Sequence, residues 1–272
     1  MLNSLKASNA VSIRWVECSK KTSSSPTKYD KRTTAPNNLS FCQVALQPIQ
    51  KASLMNSSAI TPEEIIKFWF PEGPAPDPKE HLEFWVWRMR GGANAEVLEK
   101  YSEITQLAAD GELDFWAETP EGRFALIIIL DQFPRTVWAC TAKAFSQDPK
   151  ALKLCLEGFE NGHFDALENV WYKTAYKIPL EHCECPDHLA NLDLAVAIAE
   201  ALADEAPAHL KELYERAPQQ PKLHRAVVAA FGRHPHRNEV LGRQSTEAEL
   251  EYLAKGDFPH QTDLGKQYRD LL

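Results

Sequence analysis

No stretch of this 272-residue chain approaches the roughly 18 consecutive apolar residues of a membrane-spanning helix, so no membrane partner is expected. Phosphate-cradling loops are missing as well. There is no Gly-x-Gly-x-x-Gly and no Gly-Lys-Ser or Gly-Lys-Thr, which removes the common glycine-rich routes to a bound nucleotide. A Gly-x-Ser-x-Gly elbow is also absent. Neither alternating apolar and polar residues nor glycine-containing hairpin turns run far enough to suggest a sheet. Cationic excess is confined to one end. Residues 1–58 carry eight Lys or Arg against two acids, Glu17 and Asp30, whereas residues 59–272 carry 22 basic and 36 acidic side chains, a formal balance of −14. An acidic domain does not bind nucleic acid through bulk charge, and no nucleic-acid partner is expected.

The first 58 residues are basic, rich in Ser and Thr and poor in acids, with Leu2, Leu5, Val11, Ile13 and Trp15 as a weak amphipathic element. That composition reads as an organellar transit peptide, which would send the protein to a mitochondrion or plastid. It equally suits a disordered or untranslated extension, with translation from Met55 and a cytoplasmic protein. Of the six cysteines, Cys18 and Cys42 fall in this leader and Cys140, Cys155, Cys183 and Cys185 beyond it. A core of this size needs no disulfides, so reduced thiols in an intracellular compartment are expected.

From 59 to 260 the pattern is all-α, a single domain followed by a loose tail over 261–272. Thr61-Pro62, Thr119-Pro120 and Asp148-Pro149 each read as a capping side chain followed by proline at the first helical position. Thr246 with Glu249 forms a capping box for the last helix. Val97, Tyr101, Ile104 and Leu107-Ala108 fall on one stripe of a helix from Asn94 to Ala109, and Asp193 to Leu202 reads as a buried helix. Short loops favour antiparallel helical hairpins, although no repeat at the roughly 34-residue spacing of a tetratricopeptide (TPR) array is present.

Three segments carry candidate chemistry. The apolar run Phe124–Leu130 ends on Asp131, whose carboxylate needs a cation or donors if buried; Gln132 and Arg135 lie at the turn that Pro134 enforces. In Pro179-Leu180-Glu181-His182-Cys183-Glu184, a histidine flanked by two carboxylates would have a raised proton affinity and suit acid–base work. Alternatively, Glu181 and Glu184 are solvated helix-end charges. His224 shares a face with Val227, Val228 and Phe231 and points inward, as a core histidine or a ligand-binding one. The third segment is Phe231-Gly232-Arg233-His234-Pro235-His236-Arg237-Asn238, followed by Arg243. Its arginines would overwhelm a single Asp131 and leave one or two for an anion, unless Asp131, Glu181 and Glu184 absorb them all. Gly232 and Pro235 break the helix there, so a turn with exposed amides is expected. His182, Cys183, Cys185 and His188 lie too close in sequence for an ordinary zinc site, so no metal is expected, and nothing calls for a cofactor.

These motifs, with Pro62-Glu63-Glu64-Ile65-Ile66-Lys67-Phe68-Trp69-Phe70, Asp110-Gly111-Glu112-Leu113 and Leu130-Asp131-Gln132-Phe133-Pro134-Arg135, resemble in order the DUF924 proteins, chains of unknown function with a TPR-like helical fold. The resemblance implies a TPR-like stack of helical hairpins and a polar site, but no reaction. This chain departs from the family pattern at Cys183, Cys185, His188 and His234. Two functions follow as expectations. In the first, Arg135, Arg233, Arg237 and Arg243 hold a small anionic molecule, a phosphate or carboxylate, with Gln132, Glu181, His224 and Asn238 lining the site. His182 or His236 moves protons, and Asp131 fixes a partner in place. In the second, the protein is a TPR-like adaptor for a protein partner, and the polar motifs staple its helices together.

Overall fold

Thr61 opens the first helix as the sequence requires. Its hydroxyl accepts from Glu64 N and the Glu64 carboxylate accepts from Thr61 N, a complete capping box. The structure, a computed structural model, describes residues 60–73, 75–256 and 258–259. The leader, the tail from 261 and the transit-peptide expectation lie outside the described residues. Among the described residues every regular element is helical. The α-helices are α1 (Pro62–Trp69), α2 (Pro78–Met89), α3 (Asn94–Lys100), α4 (Ser102–Asp110), α5 (Pro120–Asp131), α6 (Pro134–Val137) and α7 (Asp148–Glu160). They continue with α8 (His163–Ala166), α9 (Val170–Tyr176), α10 (Pro179–His182), α11 (His188–Glu205), α12 (Lys211–Arg216), α13 (Gln219–Phe231) and α14 (Glu247–Lys255). Short 3-10 turns lie at Asp114–Glu118, Ala142–Phe145 and Pro235–Arg237. Among the described residues no helix is long and apolar enough to cross a membrane.

Thr119 caps α5 through Gly122 N, and Thr246 with Glu249 caps α14, both as expected. Asp148 does not cap. It is the first residue of α7, and no side-chain hydrogen bond caps that helix. The expected helix from Asn94 to Ala109 is broken at Tyr101, where α3 ends and α4 begins; Val97, Tyr101, Ile104 and Ala108 still form one buried stripe. The Asp193–Leu202 segment lies within α11 and is buried on one face, at Leu192, Ala195, Ile198, Ala199 and Leu202, with Asp193 and Glu200 exposed.

The centre of the fold is α5, buried from Gly122 to Asp131. A helix that is apolar all round needs neighbours on every side, and α1, α4, α7, α8 and α9 supply them. Phe68, Trp69, Tyr101 and Phe133 pack ring on ring at one end, and Phe70, Phe124, Tyr172 and Tyr176 at the other. The α7–α9 contact depends on a missing side chain. A Cβ on Gly158 would lie 1.6 Å from the Tyr176 hydroxyl oxygen, and Tyr176 is completely buried with nowhere to move. Gly158→Ala is therefore expected to cost about 1–3 kcal/mol by overpacking, readable as a lowered urea midpoint with an unchanged m-value.

Four-residue α10 sits at a junction, in contact with α5, α7, α11 and α13. Its charged residues therefore meet the C-terminal end of α5, the start of α7 and the turn after α13.

Candidate functional site

Asp131, the last residue of α5, is 1% exposed, so its carboxylate must be met from within the protein. His182 Nδ1 lies 3.0 Å from both carboxylate oxygens. Gln132 Nε2 donates to Oδ2. Pro134 starts α6 and swings Arg135 back over the end of α5. There Nη1 donates to the Asp131 carbonyl, freed by the helix end, and Nη2 stands 3.7 Å from Oδ1. Burial raises the Asp131 pKa, while Arg135, Gln132 and Arg237 act in the other direction.

The second anchor is Asp148. Its Oδ1 takes Arg135 Nη2 at 3.1 Å and its Oδ2 takes Arg237 Nη1 at 2.9 Å. Both guanidiniums lie by the Phe145 ring, Arg237 at 4.4 Å and Arg135 at 5.7 Å. The rest of the arginine segment is paired as well. Arg233 grips Glu249 in a fork at 2.7 and 2.8 Å. Arg243 holds Glu184 and reaches the His234 carbonyl at 3.0 Å. Asn238 donates to Ser245 Oγ at 2.9 Å. Glu181 belongs to Lys177, one turn earlier. Arg135, Lys177, Arg237 and Arg243 thus face Asp131, Asp148, Glu181 and Glu184. The amides of the 234–238 turn are used rather than exposed. His234 N donates to Glu184, and Arg237 N and Asn238 N donate within the turn.

Histidines fill the space between these pairs. His188 Nε2 and His234 Nε2 both lie within hydrogen-bond distance of the Glu181 carbonyl, at 3.1 and 3.0 Å, so both rings must carry hydrogen on Nε2. Their rings run on through His224, which stands 6.1 Å from His182 and 5.4 Å from His234. Burial depresses the proton affinity of His188, His224 (to about 4) and His234. His236 packs on His234 and Phe258 rather than on Asp131.

His182 behaves oppositely to the sequence expectation. Its flanking carboxylates are taken by Lys177 and Arg243, and burial together with the Arg135 charge holds its pKa well below 6.5. A neutral imidazole beside an acceptor carboxylate carries its hydrogen on Nδ1, leaving the Nε2 lone pair available. The ring is 18% exposed and Arg135 is 23% exposed, so solvent reaches the cluster through these two side chains.

The structure therefore brings Asp131, Gln132, Arg135, His182 and Arg237 together, with Glu181 and His224 behind them. Arg233, Asn238 and Arg243 are engaged elsewhere, and His236 stands apart. Sequence reasoning missed Asp148, whose proline-flanked position looks like a cap, and Lys177, whose i, i+4 spacing to Glu181 was a readable signal. It also missed a second buried network. Glu72 receives both Arg88 nitrogens at 2.8 and 2.9 Å, and its carboxylate is 3.1 Å from His81 Nδ1, with His81 Nε2 3.0 Å from the Tyr214 hydroxyl. Burial alone would raise the Glu72 pKa, but His81 and Arg88 hold it at about 2. Among the described residues no three His, Cys, Asp or Glu side chains converge as a metal site. A surface concavity of about 580 Å³ is lined by Glu200, Asp204, Arg216 and Lys222 among others, and includes none of the cluster residues.

An all-helical protein with a buried, charge-balanced polar cluster at one helix junction is the class that this geometry defines. Residues 65–257 match the family described as bacterial protein of unknown function, DUF924, and the chain belongs to that family. A solved structure of a protein of unknown function from Agrobacterium tumefaciens is similar, with 28% sequence identity and a TM-score of 0.54 over 71% of this chain and 97% of the other. Comparison with curated proteins gives no match.

Proposed function

We propose that the protein binds, and acts by proton transfer on, a small molecule carrying a phosphate or carboxylate, with His182 and Arg135 as the groups that meet it. The observation that carries this reading is the His182–Asp131 pair. A fully buried carboxylate fixes the tautomer of a partly exposed neutral histidine, whose Nε2 makes no hydrogen bond among the described residues. That is the arrangement of a general base with its orienting acid. Burial first, then Arg135 and Arg237, depress the proton affinity of His182, with Asp148 opposing them, and the partly exposed Arg135 is the cation that would meet an anionic ligand. Gln132 is placed to orient the ligand. Arg237 and Arg243 act as supports that hold the turn against α7 and α10.

The adaptor reading rests on a different observation. Arg233, Arg237 and Arg243 are each paired with a carboxylate distant in sequence, Arg237 sharing Asp148 with Arg135, and tie separate segments together, as staples in a TPR-like stack would. A thermal-shift screen of the full chain against phosphorylated and carboxylated metabolites separates the two. A ligand at about 100 times its dissociation constant is expected to add roughly 2.7 kcal/mol of stability. That shift should disappear in Arg135→Met. In His182→Asn it should persist, because Asn can still donate to Asp131, while any turnover is lost. Silence across the panel would remove the small-anion reading and leave the adaptor.

A further inference from the structure

We propose that Cys183 and Cys185 form a dithiol oxidation site, which hydrogen peroxide converts to an intrachain disulfide. The inference is independent of the role given to His182. It starts from the backbone. Cys185 N donates to the Cys183 carbonyl at 3.0 Å, a one-residue γ-turn centred on Glu184. Such a turn shortens the Cα separation below the roughly 6.6–7.2 Å of two extended residues, into the range of about 4.4–6.8 Å that a disulfide spans. The turn is held from outside, because the Glu184 carboxylate is gripped by Arg243 and by the His234 amide. Both cysteines are free thiols.

The two sulfurs are not equivalent. Cys183 is 2% exposed, while Cys185 is half-buried and reachable from solvent. Cys185 Sγ accepts from Asn191 Nδ2 at 3.3 Å, just before the N-terminus of the long helix α11. That donor favours a thiolate. Hydrogen bonding from Cys183 brings the Cys185 pKa down to about 7 against the opposing effect of burial, and the same hydrogen bond together with burial pushes Cys183 up. Cys185 is therefore the attacking thiolate and Cys183 the resolving thiol. The Cys185 sulfur attacks one peroxide oxygen and the O–O bond breaks. Hydroxide leaves and takes a proton, giving a sulfenic acid and water. The Cys183 sulfur then displaces the sulfenic oxygen, gives up its proton, and a second water departs. The two cysteines lose two electrons and the two peroxide oxygens gain them.

Tryptic cleavage of the full chain after Lys177 and Lys211 isolates both residues on one peptide with no other cysteine. After peroxide treatment of the native protein, mass spectrometry is expected to find this peptide lighter by two hydrogens, a change reversed by dithiothreitol. Cys183→Ser should give a dimedone-trapped sulfenic acid at Cys185, whereas Cys185→Ser should leave Cys183 unlabelled. In the unmutated reduced protein, which avoids any folding defect of the variants, iodoacetamide should alkylate Cys185 with a midpoint near pH 7 and, at that pH, roughly tenfold faster than an ordinary exposed thiol. A peptide that stays fully reduced, one that ends as sulfinic acid without a disulfide, or a Cys183 that alkylates as fast as Cys185 would overturn the assignment.

Discussion

Arg237→Ala is expected to destabilise the protein by about 3 kcal/mol, lowering the melting temperature by about 6–12 °C for a domain of this size. Arg237 and Asp148 are each 4% exposed on their side chains, so the loss cannot be made good by water. Asp148 would keep Arg135, which places the cost at the low end of the range for a broken buried pair. The Phe145 ring would also lose the guanidinium stacked on it at 4.4 Å. The companion double variant, Arg237→Ala with Asp148→Asn, removes both charges and should recover part of the loss, because neutral groups cost less to bury than one orphaned ion. Differential scanning calorimetry on the four members of this cycle measures the coupling directly. A single variant melting within about 1 °C of the parent would show that Arg237 is not part of the scaffold, and would return it to the group of residues free to hold a ligand.

Acid is expected to destabilise the protein well before Glu72 and Glu249 titrate. His188, His224 and His234 are buried and neutral, with proton affinities in the folded state below the ordinary value of 6.5. For a histidine shifted this way the unfolded chain binds more protons, so its stabilisation is complete above pH 6.5 and is lost as pH falls toward the folded value. His224, at about 4 when folded, should alone account for roughly 2 kcal/mol between pH 7.5 and pH 5. Its neighbours add to this with the same sign. The carboxylates Glu72 and Glu249, both held at about 2, act in a separate window, and their contribution disappears only as pH drops below 4.5. Urea unfolding at pH 7.5, 6 and 5 tests the order. A midpoint that stays flat down to pH 5 and then falls would mean that the histidines are not held neutral by the fold. His224→Asn, if it folds, should shrink the loss most between pH 6.5 and 4, leaving the part that Glu72 and Glu249 contribute at lower pH.

The wild-type thiols illustrate how far a composition argument reaches. Cys155, Cys183 and Cys185 are free, as a core of this size allows, while Cys140 is disulfide-bonded. Chain length says that a disulfide is unnecessary for stability; it does not say which sulfurs come near each other.

Local chemistry was legible from the sequence because it acts over one helical turn. Thr61 with Glu64 and Thr246 with Glu249 close their capping boxes within three residues, Pro134 ends α5, and Gly232 takes the left-handed conformation that ends α13. The all-helical class, the buried Asp131 and the inward His224 followed from the same short-range periodicity. The pairing of charges did not, because an ion pair is specified by proximity in space and the sequence records only separation along the chain. Asp148 looks like a cap next to Pro149, yet it lies 89 residues from the Arg237 that claims it. Glu181 and Glu184 flank His182 in sequence, but α10 turns them toward Lys177 and Arg243 and gives the histidine to Asp131, 51 residues away. The sequence by itself determined the helices and the stock of charged groups. Only the packing of α5, α7, α10 and α13 at one junction decided which charge neutralises which, because burial there makes every unmatched ion too costly to keep.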